Sequence, residues 1–70
     1  MKTYILKYNG KTYRYAGEHT GDVMEKFQNR KVFGNPIICN VSLKMYDADT
    51  RGKNWAQYVA DGKMLMIEKV

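Results

Sequence analysis

Alternation of apolar and polar side chains over residues 37–46 restricts the fold of this chain more than any other feature. The odd positions are all apolar, namely Ile37, Cys39, Val41, Leu43 and Met45. The even positions from Asn40 to Lys44 are polar. At the two ends of the stretch, Ile38 and Tyr46 depart from this pattern. Successive side chains of a β-strand point to opposite faces, so this pattern predicts one buried and one solvated face. We expect the central strand of a sheet here, with Cys39 as a small core residue.

A tight turn at Asn9-Gly10 separates two runs of β-prone residues near the N-terminus. Both turn residues tolerate the positive φ of a type I′ turn, which predicts a hairpin of strands 3–8 and 11–16. The two-residue loop fixes the register, and with it the composition of each face. One face carries Tyr4, Leu6, Tyr13 and Tyr15, and the other carries Ile5, Lys7, Thr12 and Arg14. We expect the first face in the core, and the second solvated and positively charged.

A second two-residue turn, Asp61-Gly62, predicts another hairpin near the C-terminus. Its register pairs Val59 with Met64, Tyr58 with Leu65, and Ala56 with Ile67. The alternative for residues 55–60 is a short helix that Asn54 caps and that ends before the turn. Residues 64–67 are apolar without alternation, which predicts burial on both faces of the last strand or contact with a partner.

Helix signals lie between the first hairpin and the alternating stretch. Thr20 is a candidate cap for a helix over residues 22–31, with acidic residues near its start and basic residues near its end. This helix carries a narrow apolar stripe of Val23, Met24 and Phe27. Because so small a stripe cannot stabilise an isolated helix, it must pack on the sheet. We therefore predict an α+β fold of order β-β-α-β-β-β over residues 1–70, a single small domain with one mainly antiparallel sheet and one helix packed on one face.

The rarity of several residue types excludes common kinds of site. Cys39 is the only cysteine and His19 the only histidine, which excludes a disulfide within the chain and metal sites built from several such ligands. We expect His19 in the capping region of the helix. Ser42 is the only serine and lies within the alternating strand, and no glycine-rich phosphate loop occurs. The sequence thus predicts neither an enzyme nor a bound metal or cofactor.

Residues 47–52 resemble the first half of a calcium-binding loop. Asp47 and Asp49 stand two positions apart, and Gly52 occupies the sixth position, where the loop turns sharply. Arg51 and Tyr58 stand where such a loop needs oxygen ligands, and Tyr58 replaces the closing glutamate. An aspartate-rich turn between two strands is therefore the preferred interpretation.

Positive charge suggests a class of partner. Twelve Lys and Arg against seven Asp and Glu give a net charge of +5, which favours polyanions, although solubility alone explains it about equally well. Cations and aromatic rings are interleaved on the predicted solvated face and in loop 47–54, at Lys7, Arg14, Lys44, Tyr46, Arg51, Lys53 and Trp55. Cations neutralise phosphates and rings stack on unpaired bases, so these residues predict nucleic-acid binding.

The alternative is a protein-interaction module without catalysis, such as a small inhibitor or adaptor, including phage-type modulators of a host protein. Residues 64–67 and Trp55 would then offer an apolar patch to an acidic protein surface or to a second copy in a homodimer. No apolar run is long enough to span a membrane, and the N-terminus lacks a signal segment. We expect a cytoplasmic protein with no membrane partner, since a small chain without disulfides suits a reducing compartment.

Overall fold

The computed structural model describes residues 1–70 and shows a five-stranded antiparallel sheet with one helix on one face. The elements are β1 (Lys2–Tyr8), β2 (Lys11–Gly17), α1 (Thr20–Gln28), β3 (Lys31–Val32), β4 (Asn35–Pro36), β5 (Val41–Tyr46), a 3-10 turn (Ala48–Thr50), β6 (Trp55–Ala60) and β7 (Lys63–Lys69). The large sheet has the order β2-β1-β7-β6-β5, and β3 and β4 form a separate hairpin. The predicted α+β fold class is confirmed.

Both two-residue turns form as their chemistry predicts. Asn9 and Asp61 each have φ of 51°, and the glycines that follow have φ of 78° and 81°. The predicted registers are confirmed for Leu6 with Tyr13, Tyr4 with Tyr15, Val59 with Met64 and Ala56 with Ile67. Residues 55–60 form a strand rather than a helix, because they pair with β7 along their whole length.

The prediction that residues 37–46 supply the central strand is wrong. Only Val41–Tyr46 is a strand, and it lies at the edge of the sheet, whereas β7 lies in the middle between β1 and β6. Cys39 is exposed, so its predicted core position is also wrong, and Ile38 is buried instead. Leu43 is 51% exposed, because α1 packs mainly over β1, β2 and β7 and leaves the β5 end uncovered.

Burial along β7 differs from its sequence pattern. Leu65 and Ile67 are fully buried on the helix side, whereas Met64 is 55% exposed and Met66 is half-buried. The expectation that residues 64–67 are buried on both faces is therefore wrong. Apolar side chains on the second face of this central strand are consequently available at the protein surface.

The core lies between α1 and the middle of the sheet. Phe27 is fully buried, and the rings of Tyr8, Tyr13 and Tyr15 pack around it with centroid distances of 6.0, 4.9 and 6.3 Å. The hydroxyl of Tyr4 donates a hydrogen bond to the carbonyl of Lys53 (2.7 Å), and that of Tyr8 to the carbonyl of Ala60 (3.0 Å). Burial raises the pKa of both phenols. With their hydroxyls bonded, these tyrosines serve as core residues.

His19 caps α1, which corrects the prediction for Thr20. The Nδ1 atom of His19 accepts the N–H of Asp22 (3.3 Å), and the Asp22 carboxylate accepts the N–H of Glu18 (2.8 Å). Thr20 is buried in the first turn, and its N–H donates to the carbonyl of Gly52 (2.8 Å). The helix ends at Gln28, because the chain turns there into the β3–β4 hairpin.

We expect Asp22→Asn to destabilise the protein in a pH-dependent way. The hydrogen bond from the Glu18 N–H lowers the pKa of Asp22 below its ordinary value of 3.8. The stabilisation is therefore complete above the unfolded pKa of about 4 and is lost as the pH falls through the lower folded pKa. Urea denaturation should show a lower midpoint for the variant at neutral pH and convergence with wild type in strong acid, where the Asp22 carboxyl is protonated in both states. Asp49→Asn, at an exposed carboxylate, is the control; equal losses at both pH values would contradict the assignment.

Candidate interaction surface

The side of the sheet opposite α1 is open to solvent. Strand pairing and alternation place fourteen side chains on it: Thr3, Ile5, Lys7, Thr12, Arg14, Ala16, Ser42, Met45, Trp55, Gln57, Val59, Met64, Met66 and Glu68. Each is exposed or half-buried. This surface is termed the open face.

Met66 lies at the centre of the open face. In its cross-strand row it stands between Lys7 on β1 and Gln57 on β6, and the row continues to Met45 on β5. Directly opposed side chains in a sheet are about 5 Å apart and touch one another. A depression of about 460 Å³ lies on one side of Met66 and is lined by Met45 and Trp55. Another of about 280 Å³ includes Ile5.

Charged side chains lie among and around these apolar residues. Glu68 stands between Ile5 and Trp55 in the neighbouring row, which ends at Arg14 on the edge strand β2. Lys7 borders Met66 on the same side. Methionine, tryptophan and arginine are enriched at protein interfaces, where an apolar centre is surrounded by a polar rim. The open face shares this composition, with Glu68 inside the apolar region and Lys7 and Arg14 toward the β2 edge.

Three of the residues predicted to bind nucleic acid lie on the open face, namely Lys7, Arg14 and Trp55. The predicted positions of Lys7 and Arg14 on the solvated side follow from the register of the first hairpin, which is correct, whereas Trp55 was predicted beside loop 47–54. Lys7 and Arg14 are exposed, and Trp55 is half-buried. The structure thus brings two cations and one ring to the same surface.

The other four predicted residues lie elsewhere. Tyr46 and Arg51 line a groove of about 480 Å³ on the helix side, beside His19 and Gly21. Lys44 falls at the bulge in β5, and Lys53 lies in the loop before β6. Lys44 and Arg14 stand on opposite edges of the sheet, four strand spacings or about 19 Å apart. The seven side chains do not converge on one surface.

Aromatic rings are concentrated on the helix side of the sheet. All six tyrosines belong there: Tyr4, Tyr8, Tyr13, Tyr15, Tyr46 and Tyr58. Burial raises the pKa of Tyr58 as it does that of the core phenols. Trp55 is consequently the only aromatic ring on the open face. Successive unpaired bases stack on successive rings, and this face supplies a single one.

Asp47 organises the loop that resembles a calcium site. Its carboxylate accepts the backbone N–H groups of Asn54 (2.9 Å) and Trp55 (3.3 Å). Its carbonyl accepts the N–H groups of Thr50 (3.0 Å) and Gly52 (3.2 Å). No three His, Cys, Asp or Glu side chains lie close enough to hold a metal ion together. The aspartate therefore acts as the turn residue that joins β5 to β6.

Sequence reasoning missed the contribution of the methionines to this surface. Met45 was predicted in the core, yet it lies opposite Gln57 on the open face and is 53% exposed. The alternating burial of β7 was hidden by its uninterrupted apolar run. The pairing of β7 with β1 sets Ile67 opposite Leu6 and Met66 opposite Lys7. This register is the signal that assigns Met66 to the open face.

Comparison of this chain with protein-family models, with curated proteins and with solved structures finds no match. No helix is long and apolar enough to cross a lipid bilayer. The function has to be inferred from the surface chemistry of the chain itself.

Proposed function

We propose that this protein is a non-catalytic protein-interaction module whose open face binds a partner protein. The observation that carries the proposal is the composition of that face. Half of its fourteen side chains are apolar, namely Ile5, Ala16, Met45, Trp55, Val59, Met64 and Met66. The solvated face of an antiparallel sheet is ordinarily polar. An apolar centre on such a face is typical of a surface that another protein covers.

The charge around the apolar centre selects the kind of partner. Lys7 and Arg14 lie on the open face, and the chain as a whole carries a net charge of +5. Complementary potentials steer association and suppress wrong partners, so the partner surface should be apolar with an acidic rim. A second copy of this chain would bring two cations, Lys7 and Arg14, and only one carboxylate, Glu68, to the interface, which disfavours a homodimer. A small cytoplasmic inhibitor or adaptor, including a phage-type modulator of a host protein, fits this description.

Nucleic-acid binding is a second candidate function, which the shared location of Lys7, Arg14 and Trp55 supports. These residues can contact phosphates and stack on one base. The single ring and the separation of the remaining cations favour the protein partner over this alternative.

We expect Met66→Lys to weaken partner binding. An unpaired charge placed in a buried apolar contact costs at least about 2 kcal/mol, which is a loss of roughly thirtyfold or more in Kd. The wild-type protein should retain a partner from nuclease-treated extract at high salt. Titration of that purified partner against wild type and Met66→Lys should then measure the increase in Kd. Leu43→Lys is the control, because Leu43 is also an apolar strand residue that solvent reaches, but it lies on the helix side.

Two measurements separate the alternatives. Retention that disappears with nuclease, together with oligonucleotide binding at about 50 mM salt that weakens steeply as salt rises, would favour nucleic acid. Sedimentation that shows a concentration-dependent dimer, lost in Met66→Lys, would instead make a second copy the occupant. Equal binding by wild type and Met66→Lys would contradict a role for the open face.

A further inference from the structure

A small hairpin projects from the body of the protein at residues 31–36. Its strands β3 and β4 pair only with each other and are separate from the large sheet. All six residues are exposed, and none belongs to the hydrophobic core. Phe33 at the tip is 99% exposed, more than any other large apolar side chain. The hairpin therefore adds no core packing that would explain a phenylalanine at its tip.

The backbone at Phe33 makes this residue a poor choice for folding. Phe33 has φ of +53° and Gly34 has φ of +80°. The two other hairpin turns have nearly the same angles, but they use Asn9 and Asp61 at the first position. Asn and Asp tolerate the left-handed region, whereas a bulky side chain without a local hydrogen bond is strained there. A residue that violates both burial and turn chemistry is expected where function requires it.

The charges at the base of the hairpin are uniformly positive. No Asp or Glu occurs between Glu25 and Asp47, and the cations in that interval are Lys26, Arg30, Lys31 and Lys44. Arg30 donates a hydrogen bond to the Tyr15 hydroxyl (3.2 Å), and its guanidinium lies 5.1 Å from the centre of the Tyr13 ring. These contacts fix one positive charge beside the hairpin. Lys31 adds another as the first residue of β3.

We propose that Phe33 is an anchor that inserts into an apolar pocket of a partner protein, with acidic residues at the pocket rim facing Arg30 and Lys31. One fully exposed ring on a narrow turn suits a single pocket, which is how aromatic hot spots bind. Insertion into a lipid surface requires a larger apolar area than this tip offers. A wedge between base pairs requires many cations near the tip, whereas this hairpin supplies only Arg30 and Lys31, since the Lys26 ammonium bonds to the Ala16 carbonyl. This contact is independent of the open face.

The first test identifies what the tip touches. A photoreactive benzoylphenylalanine at position 33 of the full chain is irradiated in cells of the source organism, and the same residue at position 9 serves as the control. Asn9 occupies the equivalent position of a matched turn. We expect a protein adduct from position 33 and none from position 9. A nucleic-acid adduct, a lipid adduct or no specific adduct would overturn the proposal.

The second test measures the affinity of the chain for the partner protein that cross-linking identifies, after that partner has been purified in unmodified form. Phe33→Asn should weaken its binding at least tenfold, whereas Phe33→Tyr should retain most of it and Lys31→Glu should weaken it most at low salt. Lys63→Glu, the same charge reversal at the exposed first residue of β7, should leave the binding unchanged. Loss of binding in Met66→Lys without a loss in Phe33→Asn would assign the partner to the open face and overturn the anchor. Phe33→Asn should also keep or raise Tm, because asparagine suits the positive φ. A lower Tm would show that Phe33 supports the fold, and unchanged binding by Phe33→Asn would equally overturn the anchor.

Discussion

Phe27→Ala is expected to shift the urea unfolding midpoint of this protein to a much lower concentration. Phe27 is fully buried and supplies the ring around which Tyr8, Tyr13 and Tyr15 pack. Loss of a buried phenylalanine costs about 3–5 kcal/mol. A chain of 70 residues has a free energy of unfolding of roughly 4–10 kcal/mol in total. The substitution therefore removes a large part of the stability, and α1 loses its main contact with the sheet.

The chain offers a matched control in its other phenylalanine. Phe33→Ala makes the same chemical change at a side chain that is 99% exposed, so its effect should stay within about 0.5 kcal/mol. Urea denaturation followed by near-ultraviolet circular dichroism measures both, because the signal reports the packing of the tyrosine rings. A Phe27→Ala protein with a cooperative transition near the wild-type midpoint would contradict this description of the core.

Features that depend on neighbouring residues were predictable from the sequence. Asn9-Gly10 and Asp61-Gly62 fix their hairpins because two adjacent residues determine the turn and the turn determines the register. The positions of Lys7 and Arg14 on the open face follow from the first of these registers. Four residues of the open face, Ile5, Lys7, Thr12 and Arg14, were therefore predictable before any tertiary contact was known.

The place of each strand in the sheet was not predictable in the same way. Alternation is a local property that edge and central strands share, whereas the position of β5 depends on β7 pairing with both β1 and β6. The strand β5 also begins later in the chain than the alternation does. The Asp61 carboxylate accepts the N–H groups of Cys39 and Asn40 at distances of 2.8–3.3 Å, which holds residues 39–40 as irregular chain. Ile38 consequently turns inward and Cys39 outward.

Phe33 illustrates a different kind of failure. Hydrophobicity predicts that a phenylalanine is buried, and turn chemistry predicts Asn, Asp or Gly at a positive φ. Phe33 obeys neither rule, so both lead away from the observed conformation. A sequence in which most local preferences agree with the fold makes such a conflict informative. The conflict, rather than any motif, is what distinguishes this position from the other turns.

Leu65→Ala and Leu43→Ala test the corrected order of the strands, and the first should have the second-largest effect on stability. The two leucines lie in one cross-strand row, in which Tyr58 on β6 separates Leu43 on β5 from Leu65 on β7. Leu65 is fully buried, so its truncation should cost about 2–5 kcal/mol. Leu43 is 51% exposed at the uncovered edge, so the same truncation should cost less than about 1 kcal/mol.

The chemical change is identical in the two variants, so the difference between their urea midpoints reports burial alone. If residues 37–46 formed the centre of the sheet, Leu43→Ala would be the more damaging variant and Leu65→Ala would be tolerated. The open face depends on the same order, because Met66 is central only if β7 lies between β1 and β6. An equal or larger loss from Leu43→Ala would therefore displace Met66 from the middle of the surface and remove the basis for the proposed interface.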